Sequence, residues 1–398
     1  RYNYGYRDVR SFPLIKTFLG TPFIDVRVDF NSFIPKKLSE STSKKLVDYY
    51  IKKLSKKPKL HDKVEFEIVF SCYYLNIEQK LSALKDYGFN LNEIEEIKRS
   101  LLDLTNKTFF KDKLYKQDLE KIEELKKRFE AVNNSNMHII DKIYWLIEDC
   151  NRYGTLPFAG IARSAFVATQ ILRSFIEVGV ISKREHEQFM NEISTVAKDM
   201  SRDLYFYQIG KMPKDDFLIK YGHLRPGTYD ITSKRYDENF ENYFSTKRCS
   251  KIVSQKKNGF NKNQLQKIGE LLGNHGLKIS ANDLINFIIE SIEGREYAKY
   301  IFTKSLSKIL LLIEQLGKEY NISREELSYV NIQTVLSLYS SLDHRSLHEI
   351  LTTDIQTNKN YHSMMKAIKF PNLIANPEGI YEFYLDEDDP NFVTFKKV

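Results

Sequence analysis

Apolar residues recur at three- and four-residue spacing through most of this chain, and that recurrence leaves room for little but a helical fold. Residues 39–57, 92–104 and 116–131 each carry one apolar face with charged residues opposite. Residues 159–178 form a long apolar helix, and two further strong helices are expected over 280–293 and 295–320. Start signals support the reading. Ser182 with Glu185 and Ser323 with Glu326 have the Ser-x-x-Glu spacing of a capping box, in which side chain and main chain satisfy each other's open donors. The helix opened by Ser182 is expected to run to about residue 207. Residues 133–136, three asparagines and a serine, read as a loop. A helix over 141–151 should end in a turn at 153–157, marked by Gly154 and Pro157.

A smaller part of the chain alternates with period two, as a strand does. Ile24, Val26, Val28 and Phe30 face one way and Asp25, Arg27, Asp29 and Asn31 the other, so residues 23–33 read as a strand with a charged front. Residues 63–71 alternate through Val64, Phe66, Ile68 and Phe70. The tail after Tyr381 is again strand-like, interrupted by the acidic turn at 386–390. The expected fold class is mainly α (α+β), with a small β element near the N-terminus and a strand-like C-terminal tail. Residues 1–375 form one large helical domain and residues 376–398 a connector.

Composition narrows the function. The net charge of +8 comes from 61 basic against 53 acidic residues, spread along helical faces without aromatic interleaving. That argues against a nucleic-acid partner. No apolar run reaches the length of a membrane span. Cys72, Cys150 and Cys249 lie far apart with no metal-ligand spacing, which fits a reducing, cytoplasmic setting and no metal site. No phosphate-cradling glycine loop is present, since Gly210-Lys211 stands alone before Met212-Pro213. Dinucleotide, zinc-protease and nucleophile-elbow motifs are absent too. The chain begins at Arg1 and ends at Val398 in mid-pattern, as if taken from something longer.

The densest cluster of chemically able residues is Tyr221-Gly222-His223-Leu224-Arg225-Pro226-Gly227-Thr228-Tyr229-Asp230-Ile231, continuing to Arg235-Tyr236-Asp237. Gly222 should stop a helix ending at Tyr221, and Pro226-Gly227 suits a type II bend. One tight loop would then hold a titratable imidazole (His223), a forked anion clamp (Arg225), a carboxylate (Asp230), and Thr228 and Tyr229 to touch a substrate. Phosphoryl transfer asks for that set at its acceptor. A loop that merely terminates a helix would use the same residues for its own main chain.

The block resembles the Tyr-Gly-His-x-x-Pro-Gly-x-Tyr-Asp-Ile loop in the acceptor domains of phosphoenolpyruvate-synthase-like phosphotransferases, to which rifampin phosphotransferase is also related. Within that family it is most similar to the glutamine-kinase branch that begins capsule phosphoramidate synthesis. Residues 4–13 (YGYRDVRSFP), 24–35 (IDVRVDFNSFIP), 160–164 (GIARS) and 295–299 (REYAK) carry further likeness. The resemblance implies a central acceptor domain, inactive alone. An ATP-grasp domain binding ATP and Mg2+ would precede it, and a swivelling phosphohistidine domain would follow in the same polypeptide. No histidine here lies in the setting expected of the phosphorylated one. The implied acceptor is L-glutamine, with no cofactor held by this portion.

Phosphorylating a side-chain amide requires polarising its carbonyl, removing an N–H proton and neutralising the phosphoryl group. His223 or Asp230 is then the base and Arg225 the clamp. Arg163, opening a helix after the 154–160 turn, would hold the amino acid's carboxylate, or else form a structural ion pair. Asp25 and Arg27, with Asp29, would grip its ammonium group, or else form a cross-strand ion-pair stripe. Two rival functions remain: a phosphotransferase acting on a larger antibiotic, and a non-catalytic helical binding module.

Overall fold

The computed structural model describes residues 2–18, 20–110, 114–244, 259–340, 345–366, 368 and 370–375. The fold class expected from the sequence is the one observed, mainly helical with one small sheet. A hairpin of β1 (Ile15–Phe18) and β2 (Thr21–Ile24) pairs antiparallel, with Ile15 opposite Ile24. Then come α1 (Val26–Asn31), α2 (Glu40–Lys56), α3 (Ile77–Ser82), α4 (Leu91–Phe110), α5 (Leu114–Asn133), α6 (Ile139–Asp149) and α7 (Leu156–Glu177). Next are α8 (Lys183–Glu192), α9 (Val196–Gln208), α10 (Lys214–Tyr221), α11 (Phe240–Phe244) and α12 (Lys262–Asn274). The last are α13 (Ala281–Glu319), α14 (Arg324–Leu327), α15 (Ile332–Ser337) and α16 (Leu347–Met365). The strand-like tail and the 376–398 connector lie outside the described residues.

Helix α13 is the spine. Its 39 residues extend about 58 Å at 1.5 Å per residue. Leu284 and Ile288 near its start enter a core with Phe30, Tyr50, Tyr73, Ile171 and Phe175. Ala298, Ile301 and Phe302 pack with Ile122, Leu125 and Ile161. Ile309, Leu312, Ile313 and Leu316 meet Phe129, Ile143, Leu146, Leu327 and Leu351 at the far end. The two helices expected over 280–293 and 295–320 are therefore one. Gly294 between them is accommodated because tertiary packing on both sides outweighs the roughly 1 kcal/mol propensity cost of a glycine.

Other expectations need correcting. The strand expected over 23–33 is β only to Ile24. Asp25 then caps α1, its Oδ1 accepting from the Arg27 and Val28 amides at 3.1 Å each. Val26 and Phe30 are also four apart, and the cap selects the helical solution. Residues 63–71 are not a strand: 64–68 form a π-helical turn, followed by extended chain whose Phe70 amide donates to the Tyr50 hydroxyl at 3.0 Å. The 153–157 turn is replaced by a π-helical turn, Cys150–Thr155, that carries α6 into α7. Pro157 sits in the first turn of α7, where a missing N–H costs nothing. Ser182 opens its helix with a full capping box, but the helix ends at Glu192. There Lys198 Nζ donates to the carbonyls of Met190, Asn191 and Ile193 at 2.7–3.0 Å, closing α8 before α9 begins. The Ser323 box is present as well.

Candidate functional site

The loop after α10 is held by both of its ends. Lys220 and Tyr221 reach Asp203 of α9 at 2.9 and 3.1 Å. The returning chain pairs with the outgoing one: the Tyr236 amide donates to the Leu224 carbonyl at 2.8 Å, and the Asp237 amide to the Gly222 carbonyl at 3.1 Å. Gly222 ends α10 at Tyr221, as expected, and does so in right-handed conformation. A Cβ there would lie 2.5 Å from the Leu218 carbonyl oxygen and 3.1 Å from Asp237 Cβ. Close approach of two chain segments is what calls for glycine. The same holds at Gly227. Its φ is not positive, so the expected type II bend does not form; a Cβ there would meet Asp230 Cβ at 2.9 Å.

Helix α13 supplies the floor. Tyr300 donates to the Lys220 carbonyl at 2.6 Å and Ser307 to the His223 carbonyl at 2.6 Å. Ser307 Oγ also accepts from Arg225 Nη2 at 3.4 Å, while Arg225 Nη1 donates to the Asp230 carbonyl at 3.2 Å. His223 and Arg225 are both buried, and the His223 ring lies edge-on to Tyr300, centroids 5.1 Å apart. Neither polar group is fully used. Among the described residues, His223 Nε2 and Arg225 Nε have no hydrogen-bond partner.

Because the imidazole is hydrogen-bonded to the Lys220 main chain and Nε2 has no partner, the bond is made by Nδ1. An Nδ1–H donor leaves the lone pair on Nε2. Burial, then the positive charges of Lys304 and Arg235, push the His223 pKa down to about 3. The ring is neutral at pH 7, and Nε2 is an acceptor awaiting a donor. Burial first, and then Arg235 and Arg324, also pull Arg225 down from the usual guanidinium range, against Glu238 and Glu314.

Asp230 makes the poorer base. Its Oδ1 accepts from the Thr232 amide at 2.8 Å and the Thr232 hydroxyl at 2.7 Å, and these bonds hold its carboxyl below the ordinary range. It is exposed and serves its own turn. Thr228 is half-buried beside it, and Tyr229 is 72% exposed.

The remaining predicted residues are elsewhere. Arg163 is well inside α7 rather than at a helix start, so main-chain N–H groups are not on offer to an anion there. Its guanidinium packs over Phe33 at 4.4 Å, Tyr6 at 5.1 Å and Phe166 at 5.7 Å, with Arg295 on the same Phe166 ring at 5.6 Å. Arg295 and Ser307 are twelve positions apart on α13, about 18 Å of helix, which separates Arg163 from the loop. Asp25 pairs with Lys16 at 2.9 Å and Arg27 with Asp48 at 2.9 Å beside the hairpin. Both are ion-paired, but Arg27 pairs between two helices and Asp25 caps one, so the expected cross-strand stripe does not form. Asp25 also lines a cavity of about 1060 Å³ between the hairpin and the end of α16.

Tyr300, Lys304, Ser307 and Lys308 of α13 complete the loop's surroundings and were missed as site residues. In the sequence they are ordinary polar positions and a tyrosine of a long amphipathic helix, with no local signal to mark them. Compared with known proteins, the chain matches no family model, no curated protein and no solved structure.

Proposed function

We propose that this chain binds the acceptor for an ATP-dependent phosphotransferase, and that the phosphoryl group passes from a phosphohistidine to the side-chain amide of L-glutamine, supplying capsule phosphoramidate synthesis. The observation that carries the reading is the buried His223 Nε2, neutral and without a partner among the described residues, beside Arg225 and under the positive field of Lys304 and Arg235. L-glutamine as the acceptor comes from the resemblance of the 221–231 loop.

In this reading the amide nitrogen attacks phosphorus as the bond to the donor imidazole breaks. His223 Nε2 takes the proton that the amide loses. Its weak basicity in the free site is a consequence of the cationic surroundings, and a phosphoryl dianion arriving there offsets those charges and strengthens the base. Arg225, fixed by Ser307 and the Asp230 carbonyl, presents positive charge to the developing amide oxyanion. Asp230 shapes the loop. ATP and Mg2+ belong on an ATP-grasp domain, and the donor histidine on a swivelling domain, both partners in the same cytoplasmic polypeptide.

Thermal melting of the chain with millimolar L-glutamine tests the reading. Glutamine should raise the midpoint by mass action, and calorimetric titration with Mg-ATP should give no heat. A shift with a large hydrophobic antibiotic and none with glutamine would assign the other acceptor class. Micromolar Mg-ATP binding would overturn the division of labour.

A further inference from the structure

Residues 11–18 are exposed at every position, whereas β2 is half-buried at Thr21 and Phe23 and runs on into the Asp25 cap of α1. β1 is therefore the outer strand of the hairpin. The Asp25 amide donates to the Leu14 carbonyl at 2.8 Å, and Ile15 stands opposite Ile24, so the hydrogen-bonded pairs are 14 with 25, 16 with 23 and 18 with 21. The main-chain groups of Ile15 and Thr17 accordingly point away from β2, and among the described residues they have no hydrogen-bond partner. The far side of β2 differs, because Pro22 has no N–H to offer there. Side chains divide with the same period. Ile15, Thr17, Pro22 and Ile24 share one face, where Ile15 is 58% and Ile24 53% exposed. Lys16, Phe18, Thr21 and Phe23 share the other, which lines the cavity of about 1060 Å³. There Phe18, Phe23 and Phe370 meet with ring centroids 5.3–6.2 Å apart. A two-stranded hairpin is marginal in water, and an open edge beside exposed isoleucines is a template for a further strand.

The chain itself brings a segment of strand-like pattern to this place. Leu373 and Ile374 line the same cavity as Phe18 and Phe23. Ile380 follows Ile374 by six residues, at most about 20 Å of extended chain. From there Ile380-Tyr381-Glu382-Phe383-Tyr384-Leu385 alternates, with Tyr381, Phe383 and Leu385 on one side free of charge. We propose that residues 380–385 add to the outer edge of β1 as the third strand of this sheet. Their main chain meets Ile15 and Thr17, and Tyr381, Phe383 and Leu385 extend the face on which Phe18, Phe23 and Phe370 pack. A second copy of the chain has the same segment to offer, but it must also offset the freedom lost on association. The tethered segment is held beside the edge at high effective concentration. The proposal is independent of the phosphotransferase reading.

Hydrogen exchange of the full chain, read residue by residue, is the test. In wild type the Ile15 and Thr17 amides and alternate amides of 380–385 should exchange roughly 10- to 100-fold slower than in an unstructured peptide, the range for a few added main-chain bonds. The rates should not depend on protein concentration. Thr17→Pro removes an N–H that β2 does not use, so the hairpin is kept and its outer edge is blocked. Protection of 380–385 should vanish, while the Phe23 amide, which faces Lys16, keeps its rate. Phe383→Pro is the reciprocal change. It should release the Ile15 and Thr17 amides by the same factor and leave those around Ile288 of α13 unchanged, a sign that the body is intact. If Thr17→Pro also exposes the Phe23 amide, Phe383→Pro alone decides. Unprotected Ile15 and Thr17 amides in wild type, or protection that survives Phe383→Pro, overturns the proposal. Protection that appears only as the chain dimerises, followed by sedimentation, overturns it too and gives the edge to a second copy.

Discussion

Replacing Ser307 by alanine removes a side chain that ties both proposed reacting residues to α13. Its hydroxyl donates to the His223 carbonyl at 2.6 Å and accepts from Arg225 at 3.4 Å, and it is buried. The shorter bond is worth about 1 kcal/mol net, and the carbonyl left without a donor adds about 1–2 kcal/mol. The long Arg225 contact adds little, since Arg225 keeps the Asp230 carbonyl. The expected cost is about 2–3 kcal/mol, concentrated in the loop. Native-state hydrogen exchange reads it directly. The amides of Tyr236 and Asp237, which close the loop onto Leu224 and Gly222, should exchange roughly 30- to 150-fold faster. Amides around Ile288, at the other end of α13, should keep their rates. Uniform acceleration along the chain, or unchanged protection at Tyr236 and Asp237, would refute the idea that α13 positions this loop.

Three further outcomes follow from named contacts. Gly222→Ala forces a Cβ against the Leu218 carbonyl and Asp237, so it should lower the unfolding free energy read by denaturant titration by about 1–3 kcal/mol; a neutral result contradicts the close-approach role. The lowered pKa of His223 means that the unfolded chain binds its proton first, so stability is full above about pH 6.5 and is lost as pH falls toward 3. The melting point should drop between pH 6.5 and 5 in wild type and much less in His223→Gln. Asp25, held below the usual carboxyl range by Lys16 and by the α1 cap, contributes stability above about pH 4 that is lost in acid. Asp25→Ala should cost about 1 kcal/mol at pH 7 and progressively less as the carboxyl is protonated in acid, read from denaturant midpoints along that range.

Helical content was legible because periodicity and capping boxes are local: both boxes, at Ser182 and Ser323, form as read, although the helix opened by Ser182 ends at Glu192 and not near 207. The misreadings share a cause. Over 23–33 the apolar positions satisfied both periods, and only the Asp25 cap, formed in three dimensions, chose between them. Gly154 and Pro157 looked like a turn, yet a widened helical turn absorbed the glycine and the first turn of α7 took the proline. The 221–231 loop stood out in the sequence because unusual residues are dense there. Its environment did not stand out: Ser307 and Lys308 are about 80 residues away and look like ordinary polar positions of a long helix. Their meaning comes from what α13 packs against. Arg163, Asp25 and Arg27 had the right chemistry for an amino-acid ligand, but burial against aromatic rings and local ion pairing give them structural work.

The central claim is that His223 Nε2 takes the acceptor's proton during phosphoryl transfer. Its most direct test is the transfer half-reaction, with the chain joined to an ATP-grasp domain and a phosphohistidine domain carrying labelled phosphate. For His223→Asn, with the fold checked by circular dichroism, labelling of the donor histidine should proceed as in wild type. Transfer of label to L-glutamine should fall roughly 10²- to 10⁴-fold. A folded His223→Asn protein that loads phosphate and passes it to glutamine at the wild-type rate would contradict the account and leave the loop a structural turn.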